Sequence, residues 1–166
     1  MSRAFVNEDR FVEQMPDRRI SQHPNLVTEH GLRLIEAALE TARREHGEAQ
    51  AAGDREALAR AGRDLRYWSA RRGNAQVRLP AEDIDSVQFG RAVTILRESG
   101  RRQSFRIVGE DEADPAKGSI SYASPLARAL LGKTVGDSVR AGNEQAEITA
   151  IDDYNTPGRS DLGPVD

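Results

Sequence analysis

Residues 47–62, "GEAQAAGDREALARAG", decide how the first half of this chain folds. Gly53 suits the left-handed position that ends a helix, and Asp54 suits the N-cap of the next one. Upstream, from Thr28 as an N-cap, apolar or small residues recur at Leu32, Ile35, Leu39, Ala42, His46 and Ala49, the alternating three-four spacing of a coiled-coil seam. Downstream a second seam runs through Leu58, Ala61, Leu65, Trp68, Arg72 and Ala75. Two stripes of similar length joined by so short a turn can bury each other only as an antiparallel pair. Residues 28–76 are therefore predicted to form a helical hairpin, an antiparallel coiled coil whose arms of about 25 residues reach roughly 35–40 Å.

Pro80 breaks the helical pattern, and beyond it the period changes to two. Val87, Phe89, Val93 and Ile95 alternate, "ESGRR" reads as a turn, and Phe105 and Ile107 in "SFRIV" share a face. "SISY" reads as a further short strand. "SPLARALLGK" is a short helix with both ends specified, by Ser124 at the N-cap, Pro125 at the first helical position and Gly132 as terminator. "GDSVRAGNEQAEITAI" reads as a hairpin turning near Gly142 and Asn143. The expected fold class is α+β: the hairpin, then a small antiparallel sheet domain with one helix over residues 77–154. Residues 1–27 mix charges with Pro16 and Pro24 and show no sustained period, so they read as a flexible or loosely docked extension, and residues 155–166 as a disordered tail.

Composition narrows the function classes. A chain of 166 residues with eight aromatics has room for modest cores and not for a large enzyme with a deep cleft. The absence of cysteine removes disulfides, thiolate metal sites and cysteine nucleophiles. A net charge of -3 argues against nucleic-acid binding by the whole surface. No apolar run approaches the roughly 18 residues a membrane span needs, so the protein is expected to be soluble and cytoplasmic, with no membrane partner. His23, His30 and His46 lack a spacing that gathers a metal; nothing resembles a nucleophile elbow or a phosphate-binding glycine loop.

The remaining charged features each have two readings. "VGEDEADP" gathers Glu110, Asp111, Glu112 and Asp114 after a strand, as a solvated turn or as a docking surface for a basic partner. Arg60, Arg63, Arg66, Arg71 and Arg72 read as a solvated face paired with glutamates on the first helix, or as a contact for nucleic acid or an acidic protein. Trp68 lies on the seam, which favours packing over ligand stacking. At the tip, capping accounts for Asp54 and the helix dipole for Glu56. Equally, two carboxylates at the end of a long arm can enter another protein's cavity and join a Mg²⁺ there.

Several of these stretches together resemble one family. "FRIVGEDEAD" (105–114) and "ISYASPLARALLGKTVGD" (120–137) are similar to the C-terminal signature of the bacterial Gre transcript-cleavage factors, "VTEHGLRLIEAAL" to the opening of their first helix, and "RDLRYWSARRGNAQV" to the end of their second. The resemblance spans residues 26–154. It implies an N-terminal coiled coil and a C-terminal domain of FKBP-like fold that docks at the rim of the RNA polymerase secondary channel while the coiled coil passes inside. It further implies that Ser124, Pro125 and Arg128 lie in the polymerase-docking motif. In cleavage-competent members the tip carboxylates, here Asp54 and Glu56, assist a Mg²⁺ held by the polymerase, so that water cuts the 3′ end of backtracked RNA; no cofactor is intrinsic to the factor. This chain departs from the family at the tip, where D-x-x-E-N-A-E-Y is replaced by "GDREAL" with a shorter acidic spacing and neither Asn nor Tyr. The hairpin is also about one heptad per arm shorter, roughly 10 Å of reach.

Three function classes follow. The first is an RNA polymerase-binding elongation factor, monomeric, working through the secondary channel, with nascent RNA as an indirect contact; a non-cleaving, Rnk-type competitor is its variant. The second is an FKBP-like prolyl isomerase, for which residues 77–154 offer only Phe89, Phe105, Tyr122 and Tyr154 as aromatic lining. The third is a coiled-coil oligomerisation module.

Overall fold

The computed structural model describes residues 15–82 and 85–153. The chain divides into two compact units, one of Met1–Asn25 with His30–Gln76 and one of Leu26–Glu29 with Val77–Asp166. The expected tail over residues 155–166 lies outside the described residues, as does the expected extension up to residue 14.

The first unit is built on helix α1 (Glu29–Ala52) and helix α2 (Arg55–Gly73). The turn between them is the one the sequence specifies. Gly53 adopts φ +66°, its amide donates to the Gln50 carbonyl at 3.2 Å, and the Asp54 amide donates to the Ala49 carbonyl at 3.1 Å, the paired bonds of a Schellman cap. Asp54 then serves α2: its side chain accepts from the Ala57 amide at 3.0 Å. One residue thus closes one helix with its backbone and opens the next with its carboxylate.

Along α1 the buried positions are Gly31, Ile35, Leu39, Ala42 and Ala49, close to the expected stripe. Along α2 they are Ala61, Gly62 and Arg71. The expected seam position Arg72 is exposed and instead pairs with Glu36 of α1, Nε to Oε1 at 2.8 Å, while Arg71, assigned above to a solvated face, is 1% exposed. Successive residues of a helix point about 100° apart, so Arg71 lies off the seam, and at the base of the hairpin it is the preceding chain that buries it. Asn25, 3% exposed, meets Arg71 there. Upstream of it the described chain is non-helical and touches α2 again through Asp17 and Arg18.

The second unit is a five-stranded sheet in the order β5-β4-β3-β7-β6, formed by β3 (Arg91–Arg97), β4 (Arg102–Val108), β5 (Ser119–Ser121), β6 (Ser138–Ala141) and β7 (Glu144–Asp153). Two short strands precede it in the chain, β1 (Leu26–Val27) and β2 (Gln76–Val77); the Arg78 amide donates to the Val27 carbonyl at 2.9 Å. The sheet is mixed, because β5 runs parallel to β4. The other pairings are antiparallel, as expected; β5 departs from them because after β4 the chain does not turn back tightly, but passes through an acidic loop and a 3-10 turn (Pro115–Lys117) before re-entering in the same direction. The strand expected to begin at Val87 begins at Arg91. Phe89 and Gly90 form a turn, and Val87 is held outside the sheet by exchanging hydrogen bonds with Lys133 and Gly132 at 2.8 Å each.

One face of the sheet carries the core, with Val93, Ile95, Ile107, Ile120, Val139, Ala146 and Ile148 packed against Ala127 and Leu130 of helix α3 (Pro125–Leu130). A bulge in β7 makes this face continuous. Val93 lies opposite Ile151 and Ile95 opposite Ile148, so the register slips by one residue between them. Three residues apart, Ile148 and Ile151 would point to opposite faces of a regular strand; the extra residue turns both toward the core. The β6–β7 hairpin turns at Gly142, φ +70°, and Asn143, as a two-residue turn.

Candidate functional site

Asp54 and Glu56 both sit at the exposed tip, at the N-cap and in the first turn of α2. The Asp54 carboxylate is engaged by the Ala57 amide, and Glu56 lies 3.7 Å from Arg60 one turn on. Glu48, on the other side of the turn, lies 4.0 Å from Arg44. Each tip carboxylate therefore has a local role in holding the hairpin end, as exposed pairs of modest strength. Among the described residues no group of three or more His, Asp or Glu side chains gathers where a metal ion could be held.

The second candidate lies at the start of α3. Ser124 is the N-cap, its Oγ accepting from the Ala127 amide at 3.3 Å, and Pro125 occupies the first helical position. The helix buries Ala127 and Leu130 and leaves Pro125 and Arg128 exposed, so one side of this short element is anchored and the other is presented to solvent. After it comes the loop of Gly132, Lys133, Thr134, Val135, Gly136 and Asp137, folded by Asp137: its Oδ2 accepts from the Thr134 amide at 2.8 Å and from the Thr134 hydroxyl at 3.2 Å. The backbone hydrogen bond from Thr134, opposed by partial desolvation and aided by the Thr134 hydroxyl and Lys133, holds the Asp137 carboxyl below the usual aspartate range. The loop keeps Lys133, Thr134 and Val135 exposed beside the helix end.

The acidic stretch is a structured turn. The amides of Glu112 and Ala113 both donate to the Gly109 carbonyl, Thr28 Oγ1 donates to Glu112 Oε2 at 2.6 Å, and the Asp114 amide donates to Ser119 Oγ at 2.9 Å. Gly109 is required by close approach, since a Cβ there would overlap the Leu26 carbonyl oxygen. On α2 the arginines divide by position: Arg60 and Arg72 pair with glutamates, Arg66 with Asp17, and Arg71 is buried. His46 is half-buried beside Gly62, with its Cδ2 3.8 Å from where a Cβ at Gly62 would stand. Phe89 and Tyr122, aromatics an isomerase pocket would use, meet edge to face at 5.8 Å and pack against the core.

Sequence reasoning missed three structural residues. Asn25 and Arg71 form a buried lock, and Arg91, 2% exposed, reaches the Ala81 carbonyl and Asp153. An arginine displaced by one position from an apolar seam was the available signal for Arg71; nothing local marks Arg91.

A helical hairpin followed in the chain by a mixed sheet with one short, half-exposed helix defines a two-unit α+β protein. The family model for the C-terminal part of the transcription elongation factors GreA and GreB matches residues 81–153. Transcription elongation factor GreA of Bradyrhizobium diazoefficiens is 35% identical over 157 residues, 90% of this chain and 92% of the relative, and GreA of Desulfovibrio desulfuricans is 34% identical over 142 residues, 84% of each. Among solved structures, GreA factor homolog 1 of Thermus thermophilus aligns at a TM-score of 0.39 with 22% identity, covering 78% of this chain and 99% of that one. On the sequence matches, which run nearly end to end, the chain belongs to the GreA/GreB family of transcription elongation factors. Among its described residues no helix is long and apolar enough to cross a membrane.

Proposed function

We propose that this protein binds RNA polymerase and acts through the secondary channel, modulating elongating or backtracked complexes. The observation that carries the reading is the half-exposed start of α3. Pro125 and Arg128 face solvent on a helix whose other side is sealed into the core, which suits them to a partner's surface, while Ser124 fixes the helix start. A planar guanidinium on a rigid helix favours a carboxylate-bearing partner. Family membership supplies the partner class, and the 24-residue α1 gives the arm a length of about 36 Å.

Within that reading, a non-cleaving factor that occupies the channel and competes with cleavage-competent relatives fits the tip better than a cleavage factor. Asp54 is spent on capping and Glu56 on Arg60, and the shortened turn carries neither the Asn nor the Tyr of the cleavage motif. Were the tip to act, Asp54 and Glu56 would be the groups meeting the polymerase's own Mg²⁺. The protein itself is proposed to act as a monomer without an intrinsic cofactor.

Two assays test this. Pull-down with the cognate polymerase should recover the protein, and Pro125→Ala with Arg128→Ala should weaken recovery about tenfold or more; unchanged recovery by both variants rejects α3 as the docking element. With a backtracked elongation complex, the protein alone should release no short 3′ RNA and should slow release by a catalytic Gre factor. Release that is lost in Asp54→Asn/Glu56→Gln would make it a cleavage factor instead.

A further inference from the structure

The non-helical chain before Asn25 touches α2 at three levels. At its upstream end Asp17 Oδ1 accepts from Arg66 Nε at 2.7 Å. Arg18 then lays its guanidinium over the Tyr67 ring, 3.8 Å from Cζ to the centroid, and 5.3 Å from the Trp68 ring, while its Nη1 donates to Asp64 at 3.1 Å. At the downstream end Asn25 and Arg71 hold each other in the interior. Tyr67 and Trp68 stand edge to face at 4.9 Å and 81°, so Arg18 covers a ready-made aromatic step with a carboxylate beside it. Cation–π contact and an ion pair on one guanidinium reinforce each other, because both hold it in the same place.

The two ends differ in kind. The Asn25 end is sealed from water; at the other, the Arg18 and Asp64 side chains are each 36% exposed and those of Arg66 and Asp17 are 57% and 67% exposed. Exposed ion pairs contribute little and are screened by salt, whereas the buried Asn25–Arg71 bonds involve a neutral amide and feel salt much less. The chain between the ends is also longer than the stretch of α2 it follows. Seven residues from Arg18 to Asn25 can span about 23 Å when extended, while Tyr67 to Arg71 on α2 rises only about 6 Å. The length of chain does not by itself tie the outer end to the Asn25 end.

We infer that residues 17–25 are a strap with one permanent and one releasable end, which in its closed state covers the Tyr67–Trp68 face of α2 and in its open state uncovers it. The strap is a property of this chain's helical unit and stands whether or not the polymerase reading does. Ionic strength sets the balance between the two states through the exposed pairs at the outer end.

Trp68 is the chain's single tryptophan, so its fluorescence reports the strap directly. Acrylamide quenching of the full-length protein is measured at about 10 mM and about 1 M NaCl, where the Debye length falls from about 30 Å to about 3 Å. The wild type is expected to be quenched about twofold less readily at low salt than at high salt, with unchanged far-UV circular dichroism. Arg18→Gln should show the high-salt value at both concentrations. If wild-type quenching does not respond to salt, or if Arg18→Gln matches the wild type at low salt, the releasable strap is wrong. The salt response of the wild type decides the matter even if the variant folds poorly.

Discussion

Asn25 and Arg71 hold each other from both directions. The side-chain oxygen of Asn25 accepts from Arg71 Nη2 at 2.7 Å, and its amide nitrogen donates to the Arg71 backbone carbonyl at 2.8 Å. The Asn25 carbonyl also accepts from the Gln76 amide at 2.8 Å, so one residue gathers the last turn of α2 and the strand that follows it. A buried guanidinium deprived of its acceptor retains the desolvation cost without the compensating bond. Asn25→Ala is therefore expected to destabilise the protein by about 3 kcal/mol. Arg71→Met should cost less, because it removes the charge together with the need for a partner. The double variant should be less destabilised than the sum of the two, since the second substitution removes what the first left unsatisfied. Urea unfolding of the three variants, followed by circular dichroism, checks the order.

At the tip, structural and chemical roles of Asp54 can be separated by choice of substitution. Asn caps a helix as well as Asp, whereas Ala does not. Asp54→Ala is expected to cost about 1 kcal/mol, and Asp54→Asn only a few tenths. Thermal melts of the two variants test this. The comparison also governs how any activity result is read: a change produced by Asp54→Ala alone would report a frayed hairpin, and only a change shared with Asp54→Asn would report the carboxylate.

Glycines give an opposed pair. A Cβ at Gly109 would overlap the Leu26 carbonyl oxygen, whereas a Cβ at Gly47, inside α1 and exposed, meets nothing within 4 Å. Gly109→Ala is expected to cost about 1–3 kcal/mol through displaced backbone. Gly47→Ala should stabilise the protein by about 0.5–1 kcal/mol, since alanine gives up less conformational freedom in a helix than glycine. Amide exchange at Arg78, whose N–H donates to the Val27 carbonyl, should quicken in Gly109→Ala and stay unchanged in Gly47→Ala. Equal effects of the two substitutions would show that the close approach to Leu26 does not constrain the fold.

What was legible in the sequence follows from what is local. Gly53 and Asp54 specify the hairpin turn by their own backbone and side-chain preferences, and Ser124, Pro125 and Gly132 do the same for α3, so both were readable without knowing their neighbours. The parallel entry of β5 and the slip between Thr94 and Ile95 depend on which strands meet, and strand spacing alone carries no record of that. The slip left one trace, the three-residue interval between Ile148 and Ile151, which is wrong for a regular strand. Arg71 escaped because its burial comes from Asn25, far away in the chain and off the seam. Pro125, Arg128, Asp54 and Glu56 were located by motif, and their exposure follows from the capping and burial of the elements that carry them.

Asp137 supplies a dependence on pH. Its carboxyl is held below the ordinary aspartate value, first by the hydrogen bond from the Thr134 amide, so the folded protein binds this proton less readily than the unfolded chain does. Linkage then fixes the sign: the group's contribution to stability is fully present above the ordinary aspartate pKa of about 3.9, and fades as pH falls through the lower folded value. The Asp137 bonds to Thr134 are therefore expected to support the 134–137 loop at neutral pH and to weaken in acid. Carbon-detected titration of the Asp137 carboxyl should give a midpoint below that of an unstructured aspartate. Asp137→Asn keeps an oxygen that can accept from Thr134 but has no proton to exchange, so the variant's stability should fall less steeply than the wild type's between about pH 4 and pH 2. Identical acid profiles for the two proteins would mean that the Thr134 bond does not distinguish the ionised side chain from its amide. The Lys133–Val135 segment would then owe its shape to Gly132 and Gly136, at φ +80° and +95°, instead of to the aspartate.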